Sequence, residues 1–242
     1  MNNFENFFFT EILRRKNKRL KKIYDRFVTK VDYKKKYIYF ASQYQPEATT
    51  SQIGSYYDNF FLVLDILSAS IPDDWIIYYK EYPATFYNSN IARGALRRDI
   101  HYYERLAKYS NVKMISENTN TFDLIDNAQV VSTVTGTVAW EAVVRGVPSM
   151  AFSKTWYSGC NSIFSIKTFK DAEEAITKII NGYKPDQSDI ERYTAAIEKV
   201  ASKNILSQKN FNTEIAKHEN SEKVITEIAE AFYDAYLDQY AN

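Results

Sequence analysis

A run of small and hydroxyl-bearing residues between two apolar segments is the part of this sequence best suited to hold a ligand. The run contains Ser132, Thr133, Thr135, Gly136 and Thr137. Two valines precede it and a helical apolar pattern follows it, which predicts a strand, a turn and a helix. The first turn of a helix has unpaired amides and the positive end of the helix dipole, so these residues are candidates for contacting phosphate.

Glu141 lies one helical turn after Thr137, on the same face of the predicted helix. Helical side chains lean toward the helix N-terminus, so its carboxylate can reach back beside the turn. A carboxylate in that position suits the hydroxyls of a ribose. The alternative is an ordinary turn capped by a threonine, in which Glu141 only complements the helix dipole.

Two further polar segments follow predicted strands. One spans residues 42–50 and includes Glu47, and the other begins with Lys80 and Glu81 and ends at Pro83. In open parallel sheets, ligands bind beyond the carboxyl ends of the strands, so these segments and the hydroxyl-rich turn are expected to line one cleft. Lys80 is placed to pair with a phosphate or carboxylate. The alternatives are that Lys80 and Glu81 form a solvated pair and that Glu47 only serves the next helix.

Several chemistries lack their sequence motifs. The chain has no His-Glu-x-x-His, no paired cysteines, no phosphate-binding Gly-x-x-x-x-Gly-Lys-Ser/Thr loop, no Gly-x-Gly-x-x-Gly and no Asp-x-Asp. His101 is a candidate general base, but a lone histidine in a helix is more often a surface or packing residue, and His218 stands in a polar segment. We therefore expect no metal ligands and no resident cofactor, and we interpret the pattern as metal-independent handling of a phosphorylated ligand.

Composition favours a globular protein that does not bind nucleic acid. The 242 residues carry a formal net charge of +1, whereas nucleic-acid binding requires a broad basic surface. The single cysteine, Cys160, fits a reducing compartment, so the expected location is the cytoplasm. No apolar run approaches the roughly 20 residues that a membrane-spanning helix needs, and the start lacks the pattern of a signal peptide.

Alternating strand and helix patterns predict an α/β fold, a Rossmann-like doubly wound parallel sheet with an N-terminal helix and a C-terminal helical cap. The predicted segments are 1–36, a basic amphipathic helix; 37–182, the sheet domain; and 183–242, helices packed on that domain. The expected strands are 37–41, 75–79, 112–115, 129–132 and 148–152. The expected helices are 51–70, 92–109, 121–127, 137–145, 188–203 and 220–240.

The N-terminal segment carries most of the charge asymmetry. Between Arg14 and Lys36 there are twelve basic residues and only two acidic ones, Asp25 and Asp32. Basic residues beside an apolar stripe are typical of helices that lie on an anionic membrane surface, and the same face could bind a partner subunit. A solvated helix packed on its own domain is the alternative.

The ordered motifs of residues 37–182 resemble the capsule and surface polysaccharide biosynthesis proteins. The matching blocks are Gln45-Pro-Glu-Ala-Thr49, Pro72-Asp-Asp-Trp75, Lys80-Glu-Tyr-Pro83, Asn111-Val-Lys113, Val131 to Glu141 and Gly146-Val-Pro148. That family comprises bacterial glycosyltransferases with two Rossmann domains, the GT-B type, including Kdo transferases and relatives with sialyltransferase-like donor sites. The C-terminal Rossmann domain of the family binds the nucleotide-sugar donor.

The resemblance implies a donor-binding half of such an enzyme, which transfers a sugar to a glycan acceptor. It makes Ser132, Thr133, Thr135, Gly136 and Thr137 phosphate contacts, places Lys80 beside the donor phosphate, and makes Glu141 a ribose or base contact. For an active enzyme, the candidate acid–base groups are Glu47 and Glu81. The donor is a nucleotide-sugar, with a CMP-linked sugar among the candidates.

Two departures from the family pattern bear on turnover. Tyr82 stands where the family usually has histidine, and only about 36 residues precede the first predicted strand, too few for an N-terminal Rossmann domain. Activity is therefore expected to need a further domain or a partner. The alternative function is a non-catalytic binding or scaffold protein that keeps half of a GT-B fold.

Overall fold

The structure, a computed structural model, describes residues 3–86 and 97–200. The chain divides into two compact units, one of residues 1–190 and one of residues 191–242. The sheet and the candidate site belong to the first unit. The helix predicted over residues 220–240 lies outside the described residues, so the packing of a C-terminal cap stays a prediction.

The first unit is built on a sheet with helices on both sides. The strands are β1 (Val28–Thr29), β2 (Tyr37–Ala41), β3 (Ile76–Lys80), β4 (Val112–Ile115), β5 (Val130–Thr133), β6 (Ser149–Ala151) and β7 (Ile163–Ser165). The helices are α1 (Asn3–Asp25), α2 (Ala48–Ser51), α3 (Phe60–Ser70), α4 (Tyr102–Leu106), α5 (Thr121–Asp126), α6 (Val138–Val144), α7 (Phe169–Ile180) and α8 (Gln187–Val200), and two 3₁₀ helices cover Ser55–Asp58 and Pro83–Phe86.

The seven strands are ordered β1-β4-β3-β2-β5-β6-β7, and every neighbouring pair is parallel. From β2 the chain first winds through β3 to β4 on one side and then returns to place β5, β6 and β7 on the other. The gap between β2 and β5 is therefore the point at which the winding reverses. This order confirms the predicted α/β, doubly wound parallel sheet, and all five predicted strands are present.

Two apolar layers cover the faces of the sheet. Ile38 and Phe40 point into a larger core that includes residues of α1, α3 and α7, whereas Tyr37 and Tyr39 point into a smaller core with residues of α5 and α6. Alternate side chains of a strand point to opposite faces, so burial of both faces explains the continuous apolar runs that the sequence shows.

The N-terminal segment contributes to the larger core. Leu20, Ile23 and Tyr24 of α1 are buried, and Val28 of β1 pairs with Met114 of β4. The Tyr24 hydroxyl donates to the Ile115 carbonyl and accepts from the amide of Glu81 at 3.1 Å. These contacts correspond to the alternative of a helix packed on its own domain, although its outer face, with Arg15, Lys16, Lys18, Arg19 and Lys22, is exposed.

The structure differs from the sequence prediction at several elements. The helix expected over 51–70 is interrupted near Ser55, whose φ of 51° is left-handed, so only α3 is a regular helix there. Strands β1 and β7 have two and three residues, too short for a periodic signal. Helix α7 was not predicted, although Thr168 and Asp171 form a capping box at its start.

Within 3–86 and 97–200, no helix combines the length and apolarity required to cross a bilayer.

Candidate functional site

A cleft of about 390 Å³ opens at the carboxyl edge of the sheet. It lies where the winding reverses, between the residues that follow β2 and β5, which is the usual ligand position in such sheets. The loops after β2, β3 and β5, the start of α5 and the start of α6 form its walls. The lining residues are Tyr39, Ala41, Ser42, Gln43, Lys80, Glu81, Tyr82, Pro83, Ala84, Thr121, Thr133, Gly136, Thr137, Val138 and Glu141.

The cleft brings together most of the residues singled out in the sequence. Lys80, Glu81, Thr133, Gly136, Thr137 and Glu141 all line it. Three predicted site residues do not, namely Glu47, which is exposed, Thr135, which is half-buried, and Ser132, which is fully buried. Ser132 misses the cleft because it precedes Thr133 in β5, and adjacent strand residues point to opposite faces. Its assignment as a phosphate contact is therefore wrong for the described geometry.

Lys80 forms part of the wall opposite α6. Its ammonium group donates to the Thr119 carbonyl at 2.6 Å and to the Thr121 hydroxyl at 2.8 Å. Burial lowers the pKa of Lys80, while the charge of nearby Glu117 acts in the opposite direction. The alternative of a solvated Lys80–Glu81 pair is wrong, since both side chains are buried and have other partners.

Glu81 is the centre of a buried hydrogen-bond network. Its carboxylate accepts from Ser42 Oγ at 2.7 Å, Tyr79 Oη at 2.9 Å and Tyr103 Oη at 2.8 Å. Arg98 Nε lies 3.0 Å from Oε2 and Nη2 lies 3.2 Å from Oε1. Burial alone would raise the pKa of Glu81, but the charge and hydrogen bonds of Arg98 hold it below the ordinary carboxyl value.

This environment corrects the expected acid–base role of Glu81. An acid–base group must exchange a proton with the reacting ligand, whereas the Glu81 carboxylate is held ionised by donors from five side chains. Glu47 does not line the cleft at all. The residues expected to supply acid–base catalysis are therefore not placed to do so, and Glu81 instead fixes the loop that carries Lys80 and Tyr82.

Arg98 was not singled out in the sequence. Its guanidinium lies 4.5 Å from the ring centre of Tyr102 and 5.1 Å from that of Phe60, and it also donates to the side-chain oxygen of Gln45. Stacking and charge pairing together explain how a fully buried arginine is stabilised. Through these contacts, Arg98 joins the loops after β2 and β3.

The turn between β5 and α6 is already occupied by a side chain of the protein. In the amide orientation that satisfies its neighbours, Gln43 Oε1 accepts from Gly136 N at 2.9 Å and from Val134 N at 3.3 Å. On the other side, Tyr157 Oη donates to the Gly136 carbonyl at 2.7 Å. The Gly136 and Val134 amides are therefore not free to contact phosphate in this structure.

Thr137 and Glu141 meet on the cleft side of α6. Thr137 Oγ1 donates to Glu141 Oε1 at 3.0 Å, and both residues line the cleft. Thr137 makes no side-chain capping hydrogen bond, but Thr133 Oγ1 accepts from Gly136 N at 3.2 Å, so the turn is capped by a threonine other than Thr137. Within residues 3–86 and 97–200, the second carboxylate oxygen of Glu141 accepts no hydrogen bond.

Tyr82 also lines the cleft. Its side chain is 47% exposed, and its ring centre is 6.3 Å from that of Tyr44. Its amide donates to Ser42 Oγ at 3.0 Å, which ties it to the Glu81 network. The cleft therefore combines a buried cation, a carboxylate and an exposed aromatic ring.

Within residues 3–86 and 97–200, no cluster of three metal-ligating side chains is present.

No protein-family model matches the chain, and no curated protein is significantly similar to it in sequence. Solved structures with a similar fold include UDP-GlcNAc 2-epimerase from Methanocaldococcus jannaschii, at 15% identity and a TM-score of 0.43, over 77% of this chain and 51% of that one. They also include the β-Kdo 2,7-transferase of Thermosulfurimonas dismutans KpsC, at 18% identity and a TM-score of 0.42, over 70% of this chain and 61% of that one.

A third similar structure is UDP-GlcNAc 2-epimerase from Neisseria meningitidis bound to UDP-GlcNAc, at 13% identity and a TM-score of 0.40, over 67% of this chain and 40% of that one. The chain spans about half to three fifths of the length of the first two structures.

Proposed function

We propose that this chain is the donor-binding half of a glycosyltransferase of surface polysaccharide biosynthesis, and that it binds a nucleotide-sugar in the cleft between β2 and β5. The observation that carries the proposal is that Lys80 and Glu141 line the same cleft, at the reversal point of the sheet. A cleft of about 390 Å³ is within the range of small-molecule sites.

Each wall of the cleft suits a different part of such a ligand. Lys80 is a buried cation, and pairing with phosphate would compensate it more fully than its two present neutral acceptors do. Glu141, with Thr137, offers a carboxylate oxygen to the hydroxyls of ribose or sugar. Tyr82 offers an exposed ring at the mouth.

Transfer would form a bond between an acceptor hydroxyl oxygen and the anomeric carbon, and break the bond from that carbon to the donor phosphate. Lys80 would stabilise the negative charge that develops on the leaving phosphate. The acceptor proton needs a base, and the buried Glu81 network does not provide one. We therefore propose that the acceptor site and the base come from a further domain or a partner.

The same observation favours a second candidate function, a binding or scaffold protein that holds a nucleotide-sugar without transferring it. Both functions require binding of a nucleotide-sugar, but only the transferase transfers the sugar to an acceptor. Incubation of the bound nucleotide-sugar with glycan acceptors, with and without candidate partner proteins, separates them. Release of free nucleotide supports the transferase, and stable binding without release under every condition supports the scaffold.

Binding is tested first, by calorimetry with CMP, UDP, GDP and their sugar conjugates. A ligand that binds only the folded state also raises the unfolding temperature, which gives a second measurement on the same samples. Saturable binding of one nucleotide series supports the donor site. If no nucleotide binds at millimolar concentration, the donor site is rejected.

We also propose that the exposed basic face of α1 contacts an anionic membrane surface or a partner subunit at the cytoplasmic side. Because Leu20 and Tyr24 of α1 are part of the core, deletion of the segment would unfold the domain and is not a clean test. Substituting Lys16, Lys18 and Arg19, all exposed, by glutamate retains the core. Co-sedimentation with anionic vesicles should fall strongly, and unchanged sedimentation would reject the membrane contact.

A further inference from the structure

Gln43 connects the two strands on either side of the reversal point. It comes two residues after β2, and its side chain reaches the turn that follows β5. One uncharged oxygen, Oε1, accepts from the backbone amides of Gly136 and Val134, and the Thr133 hydroxyl lies within hydrogen-bond distance of the same atom. Gln43 is only 8% exposed, so this contact is largely closed to solvent.

The glycine of the turn makes this contact possible. A Cβ atom on Gly136 would lie 2.7 Å from the terminal amide of Gln43 and 2.8 Å from Thr133 Oγ1, and real Cβ contacts are essentially never below 3.0 Å. Gly136 is not among the glycines with positive φ, which are Gly146 and Gly182 within the described ranges. Gly136 is therefore required by the space that Gln43 needs and not by its backbone conformation.

Backbone amides of one turn that converge on a single oxygen are a common way to bind the oxygen of an anion. In this chain the oxygen belongs to Gln43. We propose that Gln43 is a specificity-determining residue that keeps these two amides from binding an anionic oxygen. Consequently, the negative charge of a ligand in the cleft is held by Lys80, on the opposite wall. This inference rests on the proposed function only in taking the cleft as a ligand site.

The test uses inorganic pyrophosphate as the probe and calorimetry on the full chain. Gln43→Ala and the shorter Gln43→Asn withdraw the oxygen from the turn, so we expect the dissociation constant for pyrophosphate to fall roughly fivefold to tenfold. Gln43→Glu keeps an acceptor on the same amides and adds a negative charge, so we expect the dissociation constant for pyrophosphate to rise at least about tenfold. The matched control, Gln52→Ala at an exposed position, should leave the dissociation constant for pyrophosphate unchanged.

A purely structural role for Gln43 predicts the opposite sign, since loss of the contact would loosen the turn and weaken all binding. The inference is overturned if neither Gln43→Ala nor Gln43→Asn binds pyrophosphate more tightly than the wild type. Amide hydrogen exchange gives a second readout. The exchange rate of the Gly136 amide should rise in both variants and return toward the wild-type rate when pyrophosphate is added. If pyrophosphate does not change the exchange rate of the variants, the inference is also overturned.

Failure of this inference and failure of the proposed function give different results. If no nucleotide binds the wild type, the donor site is rejected, but the comparison of pyrophosphate binding among the variants still tests the role of Gln43. If nucleotides bind the wild type but the variants do not bind pyrophosphate more tightly, only the role of Gln43 is rejected.

Discussion

Glu81 and Arg98 form a bidentate ion pair in which the carboxylate side chain is 0% exposed and the guanidinium side chain 2% exposed. Pairs of this kind are costly to break from one side, because the remaining charge stays buried without compensation. The pair also connects the end of β3, which carries Lys80, to Gln45 after β2, to Phe60 of α3 and to Tyr102 of α4. The rigidity of one wall of the cleft therefore depends on a contact outside it.

We expect Glu81→Gln to lower the free energy of unfolding by about 3–5 kcal/mol, because it leaves the Arg98 charge buried and uncompensated. Urea denaturation measures this change. Glu173→Gln, in the exposed part of α7, is the matched control and should stay within about 0.5 kcal/mol of the wild type. A loss of less than about 1 kcal/mol for Glu81→Gln would contradict the proposed importance of the pair.

The lowered pKa of Glu81 predicts an acid-sensitive contribution to stability. A carboxyl group whose pKa is lower in the folded state stabilises the fold above its unfolded-state pKa, near 4.5, and this contribution is lost as the pH falls toward the folded-state value. The wild type should therefore lose more stability than Glu81→Gln between pH 6 and about pH 3. Denaturation curves across this range that remain parallel for the two proteins would show that Glu81 does not contribute.

Lys80→Ala should weaken nucleotide binding by roughly 10- to 100-fold, because it removes the buried cation from the cleft wall. Calorimetry with the nucleotide that binds the wild type measures the change. Lys108→Ala, at an exposed position, controls for the loss of one positive charge. Equal affinities for wild type and Lys80→Ala would mean that the phosphate lies elsewhere.

Glu141→Gln should reduce affinity by less than Lys80→Ala, roughly twofold to fivefold, because it alters hydroxyl contacts and leaves Lys80 in place. A nucleotide without ribose hydroxyls provides the sharper comparison. If Glu141 contacts the ribose, wild type and Glu141→Gln should bind the dideoxy nucleotide with equal affinity. If the wild type and Glu141→Gln still differ in their affinity for the dideoxy nucleotide, Glu141 contacts a part of the nucleotide other than the ribose hydroxyls.

Tyr24→Phe should destabilise the protein by about 1–3 kcal/mol, because it leaves the Ile115 carbonyl and the Glu81 amide without their shared hydroxyl partner. Thermal and urea unfolding both report the change. Tyr56→Phe, at a position 81% exposed, removes a hydroxyl from the surface and should have little effect. Equal stability of the two variants would show that water replaces the hydroxyl.

The sequence predicts the sheet and the position of the cleft for a physical reason. Buried strands such as β2 and β5 must be apolar on both faces, and the polar residues after them then lie at one edge. The small-residue turn at Gly136 and the same-face pair of Thr137 and Glu141 follow from local spacing alone. Local spacing does not, however, decide which strand residue points to which face, and Ser132 was misplaced for that reason.

The partners of the site residues could not be predicted in the same way. Gln43 and Thr133 are 90 positions apart, and Glu81 and Arg98 are 17 apart without a periodic relation. Such pairs are selected by three-dimensional packing, in which a buried polar group must find a partner from any part of the chain. The glycine in the turn is consistent with the close approach of Gln43, but its presence alone does not identify the residue that approaches it.

The edge strand β1 affects the order in which the protein can fold during synthesis. Thr29 precedes Met114, whose carbonyl accepts from the Thr29 hydroxyl, by 85 positions. Because a ribosome releases the chain in order from the N-terminal side, α1 and β1 emerge before β4, and β1 has no strand to pair with until β4 has been made. The apolar side of α1 is therefore exposed during that interval, as a surface that chaperones on the nascent chain can bind.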